Sequence, residues 1–140
     1  MRDETRQDSG EATVEFLALT VAILIPLTYF VLTLAAVQAT VFATEAAARE
    51  TARILSHDHT QGLFAQRQAD QIFADYGVSS SYYVTPYCQP MPCGASSTIH
   101  VEVHATVPLP LIPDAWADSL DPVPVISHVA MPVTSVKLSP

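Results

Sequence analysis

The sequence predicts an α+β fold. A long N-terminal transmembrane helix continues into an amphipathic helix, and a small antiparallel sheet follows. Three observations predict it. Residues 16–44 contain no Lys, Arg, Asp or Glu, and about 20 apolar residues suffice to cross a bilayer. Beyond that run, Ala43, Ala46, Ala47, Ala48 and Ala52 are strong helix formers, and Glu45, Arg49 and Arg53 recur every four residues, so the helical pattern outlasts the membrane segment. Residues 98–107 alternate strictly. Ile99, Val101, Val103, Ala105 and Val107 fall on one side, and Thr98, His100, Glu102, His104 and Thr106 on the other. That is the pattern of a strand with one buried face.

Residues 1–10 form a short charged leader carrying Arg2 and Arg6 and ending in Ser9-Gly10. Residues 11–56 read as one spine helix, transmembrane over about 16–42. At 1.5 Å per residue it is about 68 Å long, while the bilayer core takes about 30 Å. Pro26 lies inside it, withholding one hydrogen bond and crowding the carbonyl of Ala22, so a kink or local unwinding is expected there. Thr20, Thr28 and Thr33 are placed to return hydrogen bonds to backbone carbonyls. Tyr29, near the middle of the run, is expected to face protein rather than lipid.

Residues 57–77 form a second amphipathic helix or a bent continuation of the first. Ala65, Ala69, Ile72, Phe73 and Tyr76 share a face, and Gly77 is the natural stop. Residues 78–140 make a small β domain. Tyr82 to Thr85 suggest a strand, and a Pro-rich turn over residues 87–94 joins it to the alternating strand as a hairpin. The next stretch, Val107-Pro108-Leu109-Pro110-Leu111-Ile112-Pro113, cannot be a central strand, because its prolines lack donors. It is expected to be extended with exposed apolar side chains. Val107, Leu109, Leu111 and Ile112, with Trp116 in a following turn or short helix, form a candidate interaction surface. Residues 123–137 are a last strand, placed at an edge by Pro124 and Pro132.

Cys88 and Cys93 bracket the Pro-rich turn. In an oxidising compartment they read as a small-loop disulfide, worth about 2 kcal/mol by loop entropy. Reduced thiols or half of a zinc site are the alternatives. Outside the leader and the apolar run the chain keeps roughly ninety residues, a size that profits from such a staple.

Composition excludes some functions. Net charge is −8 with six basic residues, which argues against nucleic acid as a partner. His57-Asp58-His59 reads as a solvated turn. His100 and His104 share a strand face but lie about 13 Å apart along it, too far to hold one ion directly. The chain has no Gly-rich phosphate loop and no nucleophile in a recognisable setting. The expectation is a protein with no catalytic activity, cofactor or metal centre.

Function therefore turns on the N-terminal segment. A cleaved secretory signal would have an apolar core of roughly 7 to 15 residues; this run is about twice that, although Val37-Gln38-Ala39 resembles a cut site. An uncleaved signal anchor is physically sound. The third reading is a leader cut after Gly10 on the cytoplasmic face. Glu15 favours it. Glu11 and Glu15 would suit the positive end of any helix. After a cut at Gly10, however, Glu11 carries a free amine, and the Glu15 carboxylate can face the amine of a neighbouring subunit, neutralising both charges inside a helical bundle. The cysteines beyond the run place the C-terminus outside and the N-terminus in the cytoplasm.

The stretch Gly10-Glu11-Ala12-Thr13-Val14-Glu15-Phe16, the run containing Pro26-Leu27-Thr28-Tyr29, and Ala43-Thr44-Glu45-Ala46-Ala47-Ala48-Arg49-Glu50-Thr51-Ala52-Arg53 resemble TadE-like proteins. These are pseudopilins or minor pilins of the tight-adherence (Flp) pilus system, related to type IV pili. The cysteine pair, the alternating strand, Val107-Pro108-Leu109-Pro110 and the closing Ser127-His128 strand fit the same pattern. The resemblance implies cleavage of the Gly10–Glu11 bond by a prepilin peptidase, and Glu15 as the pilin-type assembly glutamate. It also implies a single-pass membrane protein without catalytic activity, whose partners are lipid, other pilin or pseudopilin subunits and the assembly machinery. The competing expectation is a single-pass anchored extracytoplasmic binding module that belongs to no pilus.

Overall fold

The computed structural model describes residues 8–107 and 122–134. Its elements are α1 (Asp8–His57), α2 (Gly62–Asp75), β1 (Tyr82–Gln89), β2 (Thr98–Thr106) and β3 (Pro124–Pro132). The architecture is α+β, as expected. The chain divides into two compact units, Met1–Ala35 and Ala36–Pro140.

The first unit is helical wherever it is described. Its large apolar side chains, among them Phe16, Leu17, Ile23, Ile25 and Phe30, are exposed. The helix is long and apolar enough to cross a membrane. Thr20, Thr28 and Thr33 donate through Oγ1 to the carbonyls of Phe16, Leu24 and Tyr29 at 2.8, 2.8 and 2.9 Å. Each hydroxyl is thus satisfied within the helix. The helix runs through Pro26 without interruption. Proline withholds a single donor there, and the ladder continues on either side.

The second unit holds the core. The last turns of α1 bury a stripe of small residues, Thr40, Ala43, Thr44, Ala47, Ala48, Thr51 and Ala52, followed by Leu55. This three-and-four spacing is one helix face. The face joins Ala65, Ala69 and Phe73 of α2 and Ile99, Val101, Val103 and Ala105 of β2 in one hydrophobic cluster. On the outer side of α1, Arg49 pairs with Glu45, and Arg53 Nε donates to Glu50 at 2.9 Å.

Between the helices, Asp58 organises the turn. Its carboxylate accepts from the Thr60 N–H at 2.9 Å, from the Thr60 hydroxyl at 2.6 Å and from Gln61 Nε2 at 3.1 Å. These bonds, the Thr60 hydroxyl foremost, hold its carboxyl below the usual range. The second helix is thus separate from the first. It ends as expected at Gly77, which takes φ +67°. Gly77 N–H donates to Ala74 at 3.0 Å and Val78 N–H to Phe73 at 2.9 Å. Val78 and Phe73 are both buried, completing a Schellman cap with its apolar contact. Tyr76, assigned from sequence to the buried face, is exposed instead, because it occupies the C-cap where the helical period ends.

The sheet is antiparallel in the order β1-β2-β3. Alternation in β2 holds throughout, with Ile99, Val101, Val103 and Ala105 buried. Two expectations change. Tyr87 and Cys88 belong to β1, not to the turn, since pairing continues through Pro86↔Val101 and Cys88↔Ile99 to Gln89↔Thr98. Proline is tolerated because β1 is an edge strand, and its missing donor costs no ladder bond on the outer side. Val107 is not part of an exposed apolar segment. It is 3% exposed, and its N–H donates to the Val123 carbonyl at 3.0 Å, so it extends the buried face of β2. Leu109, Leu111, Ile112, Trp116 and Leu120 lie outside the described residues. The last strand occupies the other edge, with Pro124 and Pro132 at its two ends. Past it, Val133 N–H donates to Ser97 at 2.9 Å and Thr134 N–H to Ser56 at 3.0 Å, tying the strand's exit to the end of α1.

Candidate functional site

The residues singled out in the N-terminal segment all fall on α1. The described helix takes in Asp8, Ser9 and Gly10, ahead of the expected start of the spine at residue 11. Nothing in Asp8-Ser9-Gly10 forbids helical backbone as proline would. Gly10 is exposed, and a Cβ built there would meet nothing within 4 Å. Neither crowding nor a positive φ requires glycine at this point, so its presence is not explained by packing. The Gly10–Glu11 bond lies in helical backbone, and Glu15, one turn further on, is exposed. Gly10, Glu15 and the apolar residues after them are therefore on one continuous helix, and the large apolar side chains there are exposed.

Cys88 and Cys93 lie at disulfide distance, with Cα atoms 5.4 Å apart, and are joined. The loop they close contains cis peptide bonds at Gln89-Pro90 and Met91-Pro92. Ser97 holds it from inside, its Oγ donating to the Pro90 carbonyl at 2.9 Å and accepting from the Gly94 N–H at 3.1 Å. A cavity of about 160 Å³ opens beside the disulfide, between Leu55, Gly62, Tyr87 and Ile99. It is smaller than the roughly 300–1,000 Å³ of ordinary ligand pockets.

One grouping escaped the sequence reading. The outer face of the sheet carries stacked rings. Tyr83 lies against His104 with ring centroids 4.6 Å apart, and Tyr87 against His100 at 5.0 Å. His104 Nε2 meets Glu102 Oε1 at 2.9 Å. His100 does not associate with His104. Its Nδ1 lies 3.2 Å from Nε2 of His128 on β3. The signal for His128 was present in the alternation of β3, but its position opposite β2 depends on a register that the intervening residues do not specify. His57, the last residue of α1, stands apart, with Nδ1 3.3 Å from Thr134 Oγ1. Among the described residues, no three His, Cys, Asp or Glu side chains converge on one point.

Tyr82, at the inner end of β1, stacks on Phe73 at 3.9 Å, and its hydroxyl donates to Asp70. Partial burial, then the Asp70 carboxylate, push its phenol above the usual tyrosine range. This contact docks α2 on the sheet and has no role in the N-terminal segment. No family model, curated protein or solved structure matches the chain.

Proposed function

We propose that the chain is a non-enzymatic, membrane-anchored pseudopilin or minor pilin of the TadE-like kind, acting in assembly of a Flp-type pilus. In this reading the N-terminus is cytoplasmic and the unit containing the sheet is extracytoplasmic. Prepilin peptidase removes residues 1–10. The observation that carries the proposal is the first part of α1. Gly10, Glu15 and a membrane-length apolar surface lie on one uninterrupted helix, with Gly10, Glu15 and the large apolar side chains exposed. A charged carboxylate at the mouth of a membrane helix is costly wherever it enters hydrocarbon. Pairing with the new amine of Glu11 in a neighbouring subunit removes that cost only when helices bundle. The disulfide supports export, because such bonds persist in oxidising compartments.

N-terminal sequencing of protein from its native membrane tests the processing step. The expected product begins at Glu11; an intact chain beginning at Met1 overturns it. Glu15→Ala separates assembly from anchoring. The variant is expected to enter the membrane normally and to fail in pilus assembly. Normal piliation would favour an anchored binding module that belongs to no pilus.

A further inference from the structure

We propose that His100 and His128 form a two-imidazole site for a borderline divalent cation of the zinc class, fastening the edge strand β3 to the central strand β2. Their facing nitrogens are 3.2 Å apart, whereas the ring centroids are 5.3 Å apart. The difference matches two ring radii, so the rings meet edge to edge with nitrogen toward nitrogen. Zinc binds imidazole at about 2.0–2.1 Å and takes tetrahedral geometry, which sets two ligand nitrogens about 3.3 Å apart. The observed separation is that of a pair ready to chelate.

The surroundings favour the site. His100 is braced by the parallel ring of Tyr87 on β1. The only cysteines are joined to each other, so thiols do not compete for the ion. Both imidazoles are neutral when they bind. In the free pair one facing nitrogen carries a proton and donates it to the other. In the bound pair each ring keeps its single proton on the nitrogen away from the metal, so no proton is released. Water completes the coordination.

A cation that binds only when β2 and β3 are paired stabilises that pairing by mass action. The site does not depend on the pilin reading, because it lies wholly within the sheet. The test is calorimetric titration of the full chain in detergent micelles with Zn²⁺, with Tm recorded in parallel. The expected result is one site and a rise in Tm with added Zn²⁺. His100→Ala and His128→Ala each weaken binding at least about tenfold, at the low end of what metal sites lose on removal of even a supporting group. Both remove the Tm rise. His104→Ala and the double variant His57→Ala/His59→Ala keep the affinity. All of these side chains are on the outer face or in the interhelical turn, and circular dichroism checks that each variant folds. Undetectable binding, or binding that survives both His100→Ala and His128→Ala, overturns the proposal. So does binding that disappears only when His57 and His59 are replaced.

Discussion

The two parts of α1 share one backbone and opposite side-chain logic. Up to Ala35 the helix carries bulky residues on every side, and Phe30 is 64% exposed. From Thr40 onward its inner face is built of alanine and threonine, with Ala43, Ala47, Ala48 and Ala52 at 0% exposure. The difference reflects what each part must fit. On an exposed helix surface no packed neighbour limits side-chain size. A packed interior is fixed, so small residues are needed on the buried face. A single helix thus passes from an exposed apolar surface to a tightly packed one.

The strongest test of this contrast uses one residue type in both settings. Phe73→Ala should destabilise the second unit by about 3–5 kcal/mol, because it empties a fully enclosed position. Phe30→Ala should change that stability by less than about 0.5 kcal/mol. Urea unfolding in micelles, followed by near-ultraviolet circular dichroism, reads both. Equal effects would mean that an exposed phenylalanine of α1 contributes as much to stability as an enclosed one.

A reciprocal pair sharpens the boundary. Ala47→Leu overfills the small-residue stripe and should cost about 1–3 kcal/mol. Leu27→Ala, the opposite change in the first part, should lie within about 0.5 kcal/mol. A harmless Ala47→Leu would show that the stripe has slack and that its small residues answer to something other than close approach.

The smallest effect concerns how the second unit is latched. Tyr82→Phe keeps the ring on Phe73 and removes the hydrogen bond to Asp70, at a cost of about 1 kcal/mol in so open a setting. The sign of the pH dependence follows from the raised phenol. Its contribution is complete below the ordinary tyrosine value of 10.0 and is lost as alkaline pH ionises the folded form. The wild-type protein should therefore lose stability above about pH 10 by a step that Tyr82→Phe lacks. Parallel alkaline melts of the two proteins decide it.

Much of this architecture was legible because it rests on local periods. The charge-free run, the alternation of β2 and the stop at Gly77 each need only a few neighbouring residues to be read. The placement of Glu15 on the helix was legible in the same way. What was not legible depends on partners distant in sequence. The strand character of Tyr87 and Cys88 comes from pairing with β2, which overrides the local turn signal of Pro86 and its neighbours. Burial of Val107 follows from its bond to Val123, across a segment whose prolines concealed the connection. The His100–His128 pair requires the β2–β3 register, and no period within either strand encodes it.

The bond from Thr134 to Ser56 has a consequence for how the molecule is made. Its two ends are separated by 78 residues of sequence, and closing so wide a loop is entropically slow. The second unit cannot seal there until residue 134 has left the ribosome. Until then Ser56 at the end of α1 lacks this partner, so the seam between helix and sheet closes only after all three strands have been made.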